Sequence, residues 1–314
     1  MSGRGRPLRV LVAGRDGQLA RALAPAFAAA GWRVAALGRA DGLDLAGPAE
    51  AVAAAVRAAA PDLVVNAAAY TAVDRAEAEP EAAMAVNRDG AAALAAAAAA
   101  VGAPLLHVST DYVFDGAKGA PYAEHDRPAP LGAYGRSKLE GERAVAAANP
   151  RAAVLRTSWV VSAAGANFLR TMLRLAETRD EVSVVADQRG APTFAADLAA
   201  AIVGMAPRLL ASPAGDPAFG VFHLGGAPDT TWHGFAEAVF AGAAARGARV
   251  PALRAVPTAA YPTPTRRPAD SRLDCARLLA VHGIARPDWR PALERALDEL
   301  LDVDRLGTVR QPAV

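Results

Sequence analysis

Short apolar runs separated by longer helical stretches recur along the first half of the chain. Residues 8–13 form the first run, and Gly14-Arg-Asp-Gly17-Gln-Leu-Ala20 leads from it into a helix ending near Ala30. Residues 33–37 predict a second strand, 48–60 a helix and 62–68 a strong third strand. A long helix is expected over 81–101, where alanine, the best helix former, dominates. Strands follow at 104–109 and 152–157, with a helix over 134–148 between them. Such alternation implies right-handed crossovers and a parallel, doubly wound α/β sheet of the Rossmann-like kind.

Beyond Thr157 the alternation becomes irregular. Helices are predicted over 167–178, with Phe168, Met172 and Leu175 on one stripe, over 195–206, and over 231–245 with Thr231 as N-cap. Residues 220–224 predict a strand that rejoins the first sheet. Residues 261–271 carry three prolines and are expected to be extended. The expected organisation is a Rossmann-like domain from 1–156 and 195–226, and a smaller discontinuous α/β domain from 157–194 and 227–314.

Composition narrows the function classes. With 314 residues, 53% hydrophobic and 21% charged, a sizeable core is feasible. A net charge of +2 gives no argument for a nucleic-acid partner. The single cysteine, Cys275, excludes an internal disulfide framework and a cysteine-based zinc site, and the five histidines show no metal spacing. The first eight residues are basic without an apolar h-region, so a disordered tip is expected there rather than a signal peptide. Residues 91–101 fall short of the ~20 apolar residues of a membrane span, so no membrane partner is expected.

The candidate chemistry lies at strand ends. Gly14-x-x-Gly17 between a strand and a helix lets the backbone approach a pyrophosphate, although an ordinary tight turn has the same pattern. After the second strand, Gly38 offers no carboxylate. Arg39 can pair with a 2′-phosphate or be a solvated arginine, while Asp41 can still reach a ribose. Asp44 can bond an adenine amine or cap the helix near Pro48. The Ala67-Ala68-Ala69 run allows close approach to a flat ligand or simply packs. Asp74, Glu77 and Glu79 look like a solvated acidic face.

Tyr134-x-x-x-Lys138 places a phenol and an ammonium on one helix face, and Ser109-Thr110-Asp111 ends the preceding strand. A neighbouring ammonium is expected to lower the phenol pKa, and Thr110 to stabilise developing negative charge on the same substrate oxygen. Together with a nicotinamide these groups fit hydride transfer to a carbonyl, Tyr134 delivering the proton. Trp159 can stack on a sugar or base or belong to the core, whereas Trp232 and Trp289 look like packing residues. Arg266, Arg267 and Arg272 on a stiff loop suit a diphosphate or a plain basic surface.

Several longer strings carry a family resemblance. They are Asn66-Ala-Ala-Ala-Tyr-Thr-Ala-Val-Asp-x-Ala-Glu77, Ser109-Thr-Asp-Tyr-Val-Phe-Asp-Gly116, Tyr134-Gly-Arg-Ser-Lys-Leu-Glu-Gly-Glu142, Arg156-Thr-Ser-Trp-Val160, Asp187-Gln-x-Gly-Ala-Pro-Thr193 and Tyr261-Pro-Thr-Pro-x-x-Arg-Pro-x-x-Ser-Arg-Leu-Asp274. The chain resembles the extended short-chain dehydrogenase/reductases and, more narrowly, the dTDP-4-dehydrorhamnose reductase family. That resemblance implies reduction of the C4 ketone of dTDP-4-dehydro-6-deoxy-L-mannose to dTDP-L-rhamnose in the cytoplasm; the Gly38-Arg39 strand end favours NADPH, with NADH possible. The resemblance implies catalysis by Tyr134, Lys138 and Thr110. The residue reading and the resemblance together assign Gly14, Asp16, Gly17, Gln18, Leu19, Arg39, Asp44, Leu45, Ala68, Ala69, Tyr70, Thr71, Tyr134 and Lys138 to the cofactor. Ser109, Thr110, Asp111, Tyr134, Trp159, Asn167, Gln188 and Arg266 fall to the sugar nucleotide.

The chain departs from the family pattern at Val161, Asp270 and Gly38-Arg39. Some relatives dimerise through a carboxylate-held Mg2+, so the resemblance leaves Mg2+ possible, but no glutamate follows Pro192-Thr193 and no ligand cluster is identified, and a monomer or weak homodimer is expected. Two rivals stand beside the reductase. One is a reductase or epimerase of another nucleotide deoxy sugar; a dehydratase is disfavoured because Tyr112, not a second acid, follows Asp111. The other is a non-catalytic regulatory subunit, since the β subunit of methionine adenosyltransferase resembles the same family.

Overall fold

A computed structural model describes residues 6–303 and 309–310. Six strands form one parallel sheet: β1 (Arg9–Ala13), β2 (Arg33–Leu37), β3 (Leu63–Asn66), β4 (Leu105–Thr110), β5 (Ala152–Thr157) and β6 (Gly220–Leu224), in the order β6-β5-β4-β3-β1-β2. The chain steps from β1 out to β2, then crosses to β3 on the other side of β1. That reversal opens a crevice beyond the carboxyl ends of β1 and β3, where doubly wound folds bind ligands.

The strands read as near-continuous apolar runs because both faces are covered. Val10 and Val12 of β1 pack toward the Gln18–Ala29 and Ala195–Ala211 helices; Leu11 and Ala13 pack oppositely, with the Ala49–Ala59 and Ala91–Ala100 helices. A separate core joins the Phe168–Thr178, Trp232–Ala245 and Trp289–Leu300 helices through Leu169, Met172, Phe235, Val239, Leu293 and Leu297. Against it lies a second parallel pair, Glu181–Val185 with Ala252–Val256, which the irregular pattern of this half does not foretell. Thr231 caps its helix as expected, accepting from the Gly234 N–H.

Three expectations are corrected. The helix over 81–101 is interrupted: Pro80–Met84 and Ala91–Ala100 flank a π-helical turn at Ala85–Gly90. That turn carries Asn87 inward, where its side chain bonds both the N–H and the carbonyl of Tyr70 and the Ser137 hydroxyl. The helix expected over 195–206 runs to Ala211, past Pro207, because Met205, Ala206 and Leu209 are buried in the sheet's core. The tip expected over the first eight residues is ordered from Arg6, whose guanidinium makes two 2.9 Å bonds to Asp62; residues 1–5 lie outside the described residues. Among the described residues no helix is long and apolar enough to cross a membrane.

Candidate active site

The glycine turn sits at the β1 end of the crevice. Gly14 has φ +103°, and a Cβ there would come within 2.8 Å of the Ala68 nitrogen, so the turn tolerates only glycine at that point. Gly17 precedes the Gln18–Ala29 helix without a side-chain cap, leaving backbone N–H groups for an anion. This concave backbone beside the Ala68 peptide fits a pyrophosphate.

Around the turn the side chains sort differently from expectation. Asp16 is exposed and paired with Arg15. Asp41 accepts from Arg15 Nη1 at 2.5 Å and from the Gly38 N–H at 2.9 Å, so its carboxylate is already engaged. Arg39 is exposed and has no carboxylate partner among the described residues. Asp44 does not cap the helix near Pro48: its Oδ1 accepts from the Ala46 N–H, closing an Asx turn. Leu19 and Leu45 are buried core side chains. Ala68, Ala69 and Tyr70 are half-buried and Thr71 exposed, and the Tyr70 hydroxyl donates to Glu79.

The reactive cluster stands at the end of β4. Tyr134, Lys138 and Glu142 share one face of the Ala133–Ala148 helix at four-residue spacing, and all three are buried against the strand. The Thr110 hydroxyl donates to Asp111 Oδ1 at 3.0 Å and accepts from the Tyr112 N–H. Tyr112 packs edge-on against Tyr134 at 5.8 Å between ring centres. Asp111 is 3% exposed, and its Oδ2 has no hydrogen-bond partner among the described residues. Burial pushes its carboxyl up to about 6, Ser271 and Thr110 drawing it part of the way back.

The expected effect of Lys138 on the phenol is not seen. Burial pushes the Tyr134 phenol well above its ordinary value; Thr110 draws it down, and Asp111 and Tyr112 push it further up. Lys138 is committed elsewhere: Nζ donates to the Val108 carbonyl at 2.7 Å and faces His107 Nε2 at 3.4 Å. Burial brings its ammonium down to about 8, Glu142 opposing.

Ser109 is turned away from the cleft. It is buried and donates to Glu142 Oε1 at 2.5 Å, inside a network that Arg156 completes with bonds of 2.9 and 2.6 Å to the same carboxylate. Strand alternation explains this, since Ser109 shares the face of His107, toward the helix. Asn167 is a helix N-cap, its Oδ1 accepting from Arg170 N and its Nδ2 donating to Gln18 Oε1 at 2.9 Å. Gln18 thus ties the glycine turn to the second core. Gln188 is buried and donates to Thr258. Trp159 is stacked on Trp232 with ring centres 3.6 Å apart, and a Cβ at Gly190 would lie 2.6 Å from its indole. That stack makes Trp159 a packed residue with one edge at the β5 end, and it draws Trp232 into the same wall.

The extended 261–274 string reaches the cluster from the far end of the chain. Ser271 acts on Asp111. Arg267 pairs with Asp74 at 2.8 Å and lies over the Tyr112 ring. Arg272 pairs with Asp270 at 2.6 Å, so neither guanidinium is free, whereas Arg266 is exposed and unpaired among the described residues. The acidic face is therefore not simply solvated. Asp74 also accepts from the Thr265 N–H, and Glu77 Oε1 accepts from the Ala133 N–H at 2.7 Å, at the start of the Tyr134 helix. Their spacing gave no signal of this, because the partners are 56 to 193 residues away. Among the described residues no group of three or more His, Cys, Asp or Glu side chains could hold a metal ion, so the Mg2+ expectation finds no ligand set.

Comparison with known proteins agrees with this layout. The family model described as the RmlD substrate binding domain matches residues 8–302. A dTDP-4-dehydrorhamnose reductase of Sinorhizobium fredii is 50% identical over 294 residues, covering 94% of this chain and 98% of its own. The crystal structure of a dTDP-4-dehydrorhamnose reductase from Clostridium acetobutylicum superposes with a TM-score of 0.86 at 34% identity, covering 93% and 99%. That of the Bacillus anthracis enzyme in complex with NADP gives 0.84 at 33%, covering 94% and 100%. With its glycine turn, its Thr110–Tyr134–Lys138 cluster and a match spanning almost the whole length, the chain belongs to the dTDP-4-dehydrorhamnose reductase family.

Proposed function

We propose that this chain reduces the C4 ketone of dTDP-4-dehydro-6-deoxy-L-mannose to dTDP-L-rhamnose with NADPH. The observation that carries the reading is the convergence of Thr110, Asp111, Tyr134 and Lys138 at the end of β4, in the same crevice as the Gly14 turn. The Gly14–Gly17 backbone and the Ala68–Thr71 segment hold the dinucleotide. When bound, the nicotinamide supplies the hydride that reaches the ketone carbon. Tyr134 gives its proton to the ketone oxygen; its raised pKa keeps that proton in place at neutral pH until the oxygen becomes basic. Thr110 donates to the same oxygen and stabilises the charge that develops there.

Arg39, exposed and unpaired among the described residues, receives the 2′-phosphate, while Asp41 is held by Arg15 and the Gly38 N–H and is a poor ribose ligand. Arg266, unpaired among the described residues, is the guanidinium for the sugar-nucleotide diphosphate, and Asp111 contacts the sugar. In this reading 1–156 and 195–226 bind the dinucleotide, 157–194 and 227–314 the sugar nucleotide. The enzyme works in the cytoplasm as a monomer or weak homodimer.

The test is an absorbance assay of NADPH and NADH in parallel with the purified keto sugar. Stoichiometric oxidation with NADPH preferred is the expected result. Conversion without net oxidation would point to an epimerase. No turnover of any keto sugar, with a second polypeptide co-purifying, would favour a regulatory subunit. An NADH preference would remove Arg39 from its role.

A further inference from the structure

A buried polar chain lies directly behind the Lys138 ammonium. The Ala68 N–H donates to Asn66 Oδ1 at 3.1 Å, which fixes the orientation of that amide. Asn66 Nδ2 therefore points at His107 Nδ1, 3.0 Å away. An amide NH2 only donates, so Nδ1 must accept. Buried as it is, the imidazole is held neutral, well below its ordinary titration range, first by burial and then by Lys138. A neutral ring carries one proton, and the network assigns it to Nε2. Nε2 is the atom 3.4 Å from Lys138 Nζ. The ring thus presents an N–H, not a lone pair, to the ammonium. Among the described residues the acceptor close to Nζ is the Val108 carbonyl at 2.7 Å.

The other charged groups do not reverse this. On the same helix Glu142 faces Lys138, but its carboxylate is taken up by Arg156 and Ser109. Tyr134 is neutral, and β3 contributes only the Asn66 amide on this side.

We propose that His107 is a positioning residue that makes Lys138 a ready proton donor: its Nε2–H denies the ammonium a second acceptor and offers a donor to the neutral amine. This rests on the reading of Tyr134 and Lys138 as the reducing pair. Once Tyr134 has protonated the ketone oxygen, its phenolate takes a proton from Lys138. The amine lone pair then accepts from His107 Nε2–H, and solvent returns the proton to Nζ. Only O–H and N–H bonds are exchanged, and no oxidant or reductant is needed.

Two variants test the arrangement in the full chain. In Asn66→Asp one carboxylate oxygen still accepts the Ala68 N–H while the other accepts a hydrogen bond from an Nδ1–H. The tautomer flips, and Nε2 becomes an acceptor for the ammonium. In His107→Gln the amide oxygen can turn to Nζ. Both are expected to move the alkaline limb of kcat, and the Lys138 titration read by 13Cε-lysine NMR, upward by about one pH unit or more. In wild-type protein, 15N-histidine NMR is expected to show the His107 signal, identified by its loss in His107→Gln, as the Nε2–H tautomer with no titration across the neutral range. If His107→Gln does not fold, the shift of that signal in Asn66→Asp makes the assignment. An Nδ1–H tautomer in wild type, or a lysine titration unmoved in folded variants, would overturn the proposal. The NMR readouts need no turnover, so they stand even if the keto-sugar assay fails.

Discussion

The two walls of the cleft are built on different principles. The reactive wall is made of regular elements: β4 ends in Thr110, the Ala133–Ala148 helix carries Tyr134 and Lys138, and buried Asn66, Asn87, His107 and Glu142 fix them from behind. The recognition wall is the extended 261–274 string, largely exposed up to Arg266, tied to Asp74 through Arg267 and the Thr265 N–H, and held beyond that by backbone bonds to Arg189 and Tyr122. One wall is set by a strand and a helix packed together; the other is an extended segment whose exposed first half is held through Thr265 and Arg267. Chemistry that needs sub-ångström placement sits where packing sets it, and substrate choice sits where a few side chains can be exchanged.

The largest expected effect tests the reactive wall directly. Tyr134→Phe should lower kcat by about 10²–10⁴-fold, the usual worth of a positioned general acid. NADPH affinity and thermal midpoint should stay near wild type, measured by fluorescence titration and calorimetry. Full activity in that variant would remove the proton donor from the cluster and, with it, the contrast between the walls.

Asp111 stands where the walls meet, and it costs stability. Its carboxyl is raised from 3.8 to about 6, chiefly by burial. Between those values the folded state binds more protons than the unfolded chain, so stability falls as pH rises through that window and the full cost is present above it. A shift of that size corresponds to a cost on the order of 3 kcal/mol. Asp111→Asn should recover about 1–2 kcal/mol near neutral pH, less than the whole because an unbonded amide N–H replaces the unbonded Oδ2. Urea melts at about pH 4 and about pH 7 should show the wild-type slope lost in the variant. Turnover should fall too, if the carboxylate contacts the sugar.

Asp74→Asn probes the recognition wall. Freeing Arg267 should loosen the string and raise the sugar-nucleotide KM about tenfold, the order of one charge-assisted pair, with kcat changed much less. A fall in kcat at unchanged KM would mean that the string orders the Tyr112–Tyr134 contact rather than the substrate.

The same contrast explains what could be read beforehand. The sheet from β1 to β5 and the Tyr134-x-x-x-Lys138 face declare themselves through local periodicity and spacing, because the determinants lie within one or two turns of each other. Where partners are distant in sequence, spacing is silent. Nothing in Asn167 announces Gln18, 149 residues away, and nothing in Ser109 announces Glu142 rather than a ligand. The alanine-rich stretch over 81–101 has no amphipathic stripe that could betray its π-helical turn. The second parallel strand pair was missed because Glu181–Val185 and Ala252–Val256 are short and only partly buried.

The smallest expected effect separates stability from chemistry at the seam of the reactive wall. Gly132, the N-cap of the Tyr134 helix, has no side chain to cap with, and Glu77 supplies the acceptor from outside at Ala133 N. A carboxylate there also meets the positive end of the helix. Glu77→Gln keeps an acceptor and removes the charge, so the loss should be about 0.3–1 kcal/mol; Glu77→Ala removes both and should cost about 1 kcal/mol or more, typical of a lost cap. Because Lys138 and Ser137 are fixed by His107, Val108 and Asn87 further along the helix, kcat should stay within about twofold of wild type in both variants while the urea midpoint falls. A large kcat loss with an unchanged midpoint would show that the first turn, and Tyr134 with it, is positioned from Glu77 rather than from the strand behind it.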